Sequence, residues 1–183
     1  MAEAPDEWLE QIKVGEPAAV QRLLEELSGP VRRYLEGMLH NPAQAEDLAQ
    51  EALVRLLQYL GEFRQEASLR TYLFQIAHNL ALNHLAAAST RREEYGSEEP
   101  LQAEDGHQGA LEMLAVKEDQ RRVRQALKRL APQQRAVVIL RAWEEMSFKE
   151  IARVMGLAEG TAKAHYFFAL RNLRQHLEAK NDA

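Results

Sequence analysis

Along most of this chain apolar residues return every three to four positions, the spacing of helices that bury one face. Trp8 to Val14 reads as a short amphipathic helix that closes near Gly15. A longer helix is predicted from Pro17 to Leu39, with Val20, Leu23, Leu24, Leu27, Val31, Leu35 and Leu39 on its stripe. Pro17 suits a first turn, where a missing N–H is no loss, and Gly29-Pro30 predicts a bend midway. Asn41 is placed to cap a third helix with Ala45, Leu48, Ala52, Leu56 and Leu60 inward. After a loop from Gly61 to Ala67, Ser68 caps a fourth helix that buries Leu69, Leu73, Ile76, Leu80 and Leu85. Its other face repeats Tyr72, Gln75, Asn79 and Asn83. Periodicity fades after Ala88.

Order resumes near Ala110, in a helix to Leu130 whose stripe is Leu111, Leu114, Val123, Leu127 and Leu130. Pro132 opens another through Trp143. Ser147-Phe148-Lys149-Glu150 then forms a capping box, the serine taking a first-turn N–H and the glutamate reaching back. The short helix so started carries Phe148, Ile151, Ala152 and Met155 on one side and stops at Gly156, a residue free to turn through positive φ. A second helix begins at Glu159-Gly160-Thr161, with Ala162, Tyr166, Ala169, Leu173 and Leu177 in line. Two helices across a tight glycine turn are the mark of a helix-turn-helix. No strand pattern interrupts this sequence. The expected fold is all-α: two small helical domains, at 1–90 and 110–183, joined by a flexible acidic linker at 91–109, which is polar and broken by Gly and Pro.

Charge changes the picture by segment. Residues 1–90 hold seven Lys/Arg against thirteen Asp/Glu (net −6), 91–109 two against six (net −4), and 110–183 fourteen against nine (net +5). The basic segment contains the helix-turn-helix, as a phosphate-binding surface requires. The acidic total of −5 argues against tight, indiscriminate DNA binding by the chain alone, and suits a protein that meets DNA with a partner. With no cysteine, disulfides, Cys-ligated zinc and thiol catalysis are excluded. No apolar run is long enough to cross a membrane and no charged-then-apolar leader opens the chain, so a cytoplasmic location is expected. The six histidines form no HExxH and no i, i+4 pair, and there is no P-loop or Gly-x-Ser-x-Gly. Glu36 and His40 share a face, which reads as a surface contact rather than a metal site. Neither catalysis nor a cofactor is expected.

Two blocks carry a resemblance. Ala45-Glu46-Asp47-Leu48-Ala49-Gln50-Glu51, continuing through Phe63-Arg64-Gln65-Glu66-Ala67-Ser68-Leu69-Arg70-Thr71-Tyr72-Leu73 to Ile76-Ala77-His78-Asn79-Leu80-Ala81-Leu82-Asn83-His84-Leu85, resembles sigma region 2. Leu130 to Leu177 resembles region 4. In this order and at this separation, the chain resembles the extracytoplasmic-function (group IV) sigma factors of bacterial RNA polymerase. The resemblance implies that Asp47, Gln50, Glu51 and Arg55 dock on the β′ clamp of core polymerase, with the β flap as a second contact. It implies that Phe63, Arg64, Ser68, Tyr72, Asn79 and Asn83 surround a flipped −10 base; such a pocket needs a stacking wall and groups for the base edge. As residues alone, Phe63 and Tyr72 also read as core aromatics. For the −35 element it implies Thr161, Lys163, Ala164, His165, Phe167, Phe168, Arg171 and Arg174, the two arginines being placed for phosphates. An anti-sigma partner is implied by the family, not by any residue.

The recognition helix departs from the family pattern. It reads Ala162-Lys163-Ala164-His165-Tyr166-Phe167-Phe168, with His165 where a basic group is common and aromatics where charges are expected. If Tyr166 and Ala169 point inward, at least one of Phe167 and Phe168 is exposed, for a thymine methyl or a partner protein. Ala86-Ala87-Ala88 likewise replaces a basic run. Weak promoter binding without core polymerase is therefore expected, with an atypical −35 preference. Glu93, Glu94, Glu98, Glu99, Glu104 and Asp105 allow the linker to stand in for RNA in the polymerase channels, or to act only as a tether. Two other readings fit the C-terminal block: a stand-alone helix-turn-helix regulator, and a sigma-like interaction protein without initiation activity. The first lacks the alternating strands and helices of a receiver domain in the front half.

Overall fold

The computed structural model describes residues 6–60, 67–95 and 121–178. In chain order its helices are α1 (Asp6–Lys13), α2 (Pro17–Leu39), α3 (Pro42–Tyr59), α4 (Leu69–Tyr95), α5 (121–128), α6 (Pro132–Ala142), α7 (Phe148–Met155) and α8 (Glu159–Glu178). The described residues are all-α, as expected.

The helix ends follow local chemistry. Gly15, at φ 75°, closes α1. Pro17 starts α2, which runs unbroken over Pro30 and ends at His40 in the left-handed region. The Asn41 side chain accepts from Gln44 N–H at 3.2 Å, and Ser68 Oγ accepts from Thr71 N–H at 3.1 Å. One difference from the expected linker is that α4 extends to Tyr95. The stretch from Ala86 holds good helix formers and no Gly or Pro before Gly96, so it stays helical without an apolar stripe to bury. The linker residues beyond, 96–109, lie outside the described residues, as do Phe63 and Arg64.

In the N-terminal half, α2, α3 and α4 pack on one another. Leu23, Leu27, Val31, Tyr34, Leu35 and Met38 of α2 meet the small stripe Ala45, Ala49 and Ala52 of α3, and Leu73, Phe74, Ala77 and Ala81 of α4. The alanines let the backbones approach, and Tyr34 and Phe74 fill the volume in an edge-to-face contact of 5.5 Å. In the C-terminal half, α6, α7 and α8 pack together around Val137, Ile139, Leu140, Ile151, Val154, Met155, Ala162 and Ala169. On α5 only Ala126 and Leu127 are buried, with Leu130 just beyond. Val123, expected on that stripe, is exposed instead, because the helix is anchored at its C-terminal end.

The two halves touch: α6 lies against α2 and α7 against α4, within one continuous core. Gly37 makes this possible. A Cβ there would stand 2.7 Å from Ile139 Cδ1 and 2.8 Å from Trp143 Cζ3, closer than carbon atoms approach.

Candidate nucleic-acid and polymerase interfaces

The helix-turn-helix is built by its caps. Glu150 N–H donates to Ser147 Oγ at 3.2 Å while Ser147 N–H donates to Glu150 Oε2 at 2.8 Å, the reciprocal box expected. Gly156 turns the chain at φ 64°. Phe148 then meets Tyr166 edge to face at 5.5 Å, fixing α8 against the start of α7, and Asn172 donates to Gln134 at 3.0 Å, tying α8 to α6.

With Ala162 and Ala169 buried and Tyr166 half-buried, the other side of α8 faces solvent. Thr161, Lys163, Ala164, Arg171 and Arg174 are exposed and His165 is half-buried. Both phenylalanines are out: Phe167 is 67% exposed and Phe168 57%. Phe167 lies edge-on to Tyr166 at 6.2 Å. Lys163 pairs with Glu159 at 2.7 Å; the pair is exposed and easily exchanged for another anion. The proposed reading face is thus mixed: polar and basic groups around two aromatic rings.

On the N-terminal half the structure brings Asp47, Gln50, Glu51 and Arg55 to one outer face of α3. Glu51 and Arg55 form an ion pair along it, and Gln50 donates to Glu46 at 3.1 Å. On α4, Asn79 and Asn83 are exposed in line, and Tyr72 is half-buried against the core. Ser68 is engaged differently from the other pocket candidates. Its hydroxyl caps α4 and lies 3.0 Å from Thr71 Oγ1, so it shapes the mouth of the helix. Beneath this face His78 Nδ1 and the Tyr34 hydroxyl are hydrogen-bonded at 2.8 Å. Burial lowers the His78 pKa to about 4, and burial raises that of Tyr34. The neutral pair holds α4 to α2.

Four charged residues that local patterns did not mark occupy the seam between the halves. Arg135, buried on α6, donates to the carbonyls of Leu127 (2.9 Å), Lys128 (3.0 Å) and Leu130 (3.2 Å) and to that of Met38 at the end of α2. One guanidinium thereby satisfies carbonyls at two helix ends. Glu144, between α6 and α7, meets Arg70 of α4 at 2.9 Å and Arg33 of α2 at 3.5 Å. Burial raises the Glu144 pKa, and both arginines pull it back. These contacts link residues 74 to 111 positions apart, a separation at which no periodic pattern or motif signals a pair. Among the described residues there is no cluster of His, Asp or Glu able to hold a metal ion, and no helix long and apolar enough to cross a membrane.

Comparison with known proteins covers both halves. The family model "Sigma-70 region 2" matches residues 23–91 and "Sigma-70, region 4" matches 120–173. The chain is 33% identical to the ECF RNA polymerase sigma factor BldN of Streptomyces coelicolor, over 93% of its own length and 65% of that protein. It is 30% identical to the ECF RNA polymerase sigma factor SigL of Mycobacterium tuberculosis, over 89% of this chain and 91% of that one. Its fold is shared with the sigma factor RpoE of Bartonella quintana, solved with the anti-sigma factor NepR (TM-score 0.71, 22% identity, covering 86% and 96%). With matches to both sigma-70 region models and 30% identity to a relative covered over 91% of its length, the chain belongs to the extracytoplasmic-function sigma factors of the sigma-70 family, the promoter-recognition subunits of bacterial RNA polymerase.

Proposed function

We propose that this sigma factor divides its work between the two faces described. The outer face of α3, with Asp47, Gln50, Glu51 and Arg55, docks on the β′ clamp of core polymerase. The start of α4 and the loop before it capture an unstacked base of the −10 element, with Tyr72 as a wall and Asn79 and Asn83 along the strand. The family resemblance adds Phe63 and Arg64, which lie outside the described residues, to the groups that meet this base. The recognition helix α8 enters the major groove at the −35 element, Thr161, Ala164, His165 and Phe168 toward the bases, Lys163, Arg171 and Arg174 toward phosphates. Region 4 also meets the β flap. An anti-sigma factor holds the protein inactive, as NepR partners RpoE in the related complex.

The observation that carries this reading is the outward placement of both faces within the family fold: α8 presents its polar, basic and aromatic residues to solvent while α3 presents its acidic-polar row. The alanines and phenylalanines of α8 in place of basic groups make polymerase the main source of affinity. Reconstitution with core polymerase, followed by mapping of transcript starts on fragmented genomic DNA, tests it. Discrete starts sharing −10 and −35 sequences are expected. Absence of core binding would refute it.

A further inference from the structure

Glu144 points from the turn between α6 and α7 into the N-terminal half. Its carboxylate receives Arg70 Nη2 at 2.9 Å and Arg33 Nη2 at 3.5 Å, and Arg70 also donates to the Glu144 carbonyl at 2.8 Å. The glutamate side chain is 1% exposed, while that of Arg33 is 53% exposed. Next to it Glu145 sits at φ 54°, a left-handed backbone that is unfavourable for a non-glycine residue. The turn therefore holds a strained shape that aims Glu144 inward. Two guanidinium groups from separate helices converging on one carboxylate also match a phosphate, whose oxygens accept from such forks in the same way. On α4, Arg70 stands two residues before Tyr72 and nine before Asn79, about half a turn round the helix from both, so it faces the α7 side, where Glu144 meets it.

We propose that Arg33 and Arg70 form a binding site for a DNA backbone phosphate on the side of the N-terminal half that the α6–α7 turn covers, and that Glu144 fills it as an internal stand-in while the two halves are packed together. The inference rests on the sigma-factor reading. It makes the packed form and the promoter-bound form exclude one another. A packed chain of this size has a radius of gyration of about 16 Å. The 25 base pairs nominally separating −35 from −10 extend ~85 Å as B-form DNA. Both elements are within reach only when the halves part. Parting strips Glu144 from the arginines just where a phosphate arrives, so DNA binding and opening favour each other.

The chain has no cysteine, so Gln58→Cys and Gln175→Cys, both exposed, accept a donor and an acceptor dye for distance measurement in the free protein. Affinity is read with a fluorescein-labelled, random-sequence single-stranded DNA 12-mer, because phosphate contacts carry no base information. E144Q is expected to lengthen the dye distance and to tighten DNA binding about fivefold, with a salt slope steeper by roughly one. R70A is expected to lengthen the distance too, yet to weaken DNA binding. The charge-swapped double variant R70E/E144R should return the short distance without the tighter binding, and it keeps the outcome decisive if E144Q alone is unfolded. An unchanged distance in E144Q, or no return in the swap, overturns the internal contact as a latch. Opening without a gain in DNA affinity overturns the phosphate site. None of these readings uses polymerase, so failure of the wild type to start transcription would count against the sigma-factor reading separately.

Discussion

The two halves of this molecule reach stability by different means. The N-terminal half relies on long helices and volume: α2 and α4 run 23 and 27 residues, and a buried Tyr34–His78 pair pins them. The C-terminal half has helices as short as the 8 residues of α7, too short to persist alone. It depends on termini: a capping box, a left-handed glycine, and Arg135 on the carbonyls of α5. Bulk packing tolerates a polar, varied surface such as the α3 face. A scaffold made of caps instead fixes one helix rigidly, which a groove-reading element needs.

This contrast can be broken at defined points. Arg135→Ala should have the largest effect, because it leaves buried carbonyls of two helix ends without a charged donor; a loss of roughly 3–4 kcal/mol is expected, seen as a lower urea midpoint and faster hydrogen exchange in α5 and α6. Acid should strike the N-terminal half next. Above pH 6.5 the His78 ring is neutral folded or unfolded. Below it the unfolded chain takes up a proton that the folded protein refuses until about pH 4. Stability should therefore fall with pH across that window by up to about 3 kcal/mol for this group. His40, lowered to about 3 by burial and then by Arg135, Lys128 and Arg124, acts in the same direction. Urea titrations at pH 7 and pH 4.5 on wild type and His78→Gln test it: the variant should lose less on acidification.

Smaller effects belong to the helix-turn-helix. Ser147→Ala removes one cap and should cost about 1 kcal/mol, with exchange quickening in α7 while α2 to α4 are unaffected. Phe168→Arg should change stability by no more than about 0.5 kcal/mol, since the ring packs on little. It should nevertheless raise non-specific DNA affinity and steepen the salt dependence by about one. A stability loss well above that would place Phe168 in the core and remove it from the reading face.

Most of the helices were legible in the sequence because their causes are local. Pro17, Asn41, Ser68, Ser147 and Gly156 each act within one turn of the position they mark, and all five stand where their chemistry predicted. The phase of Tyr166 and Ala169 required at least one of Phe167 and Phe168 to face outward, and the structure turns both out. The end of α4 was missed, because helix propensity without an apolar stripe leaves no periodic trace. Val123 was misplaced for a related reason: periodicity reports which residues share a face, and says nothing of how far a neighbour extends along it. The seam was invisible. Arg33, Arg70 and Glu144 look like ordinary surface charges in sequence, and only tertiary approach makes them a set. Gln50 and Asn79 were legible as exposed, and their partners in a complex are assigned through the family.

Gly37 has a consequence for dose. A missing side chain there lets Ile139 and Trp143 seat against α2, so, with the halves parting as proposed, one absent methyl group helps set the fraction of molecules that stand open. A protein competent only when open binds with an apparent dissociation constant equal to the intrinsic one divided by that fraction. If one molecule in about a hundred is open, about a hundredfold more chain is needed for the same occupancy of DNA. The quantity under control is then the number of open molecules, and a single extra carbon at position 37 would alter it with no change in how much protein is made.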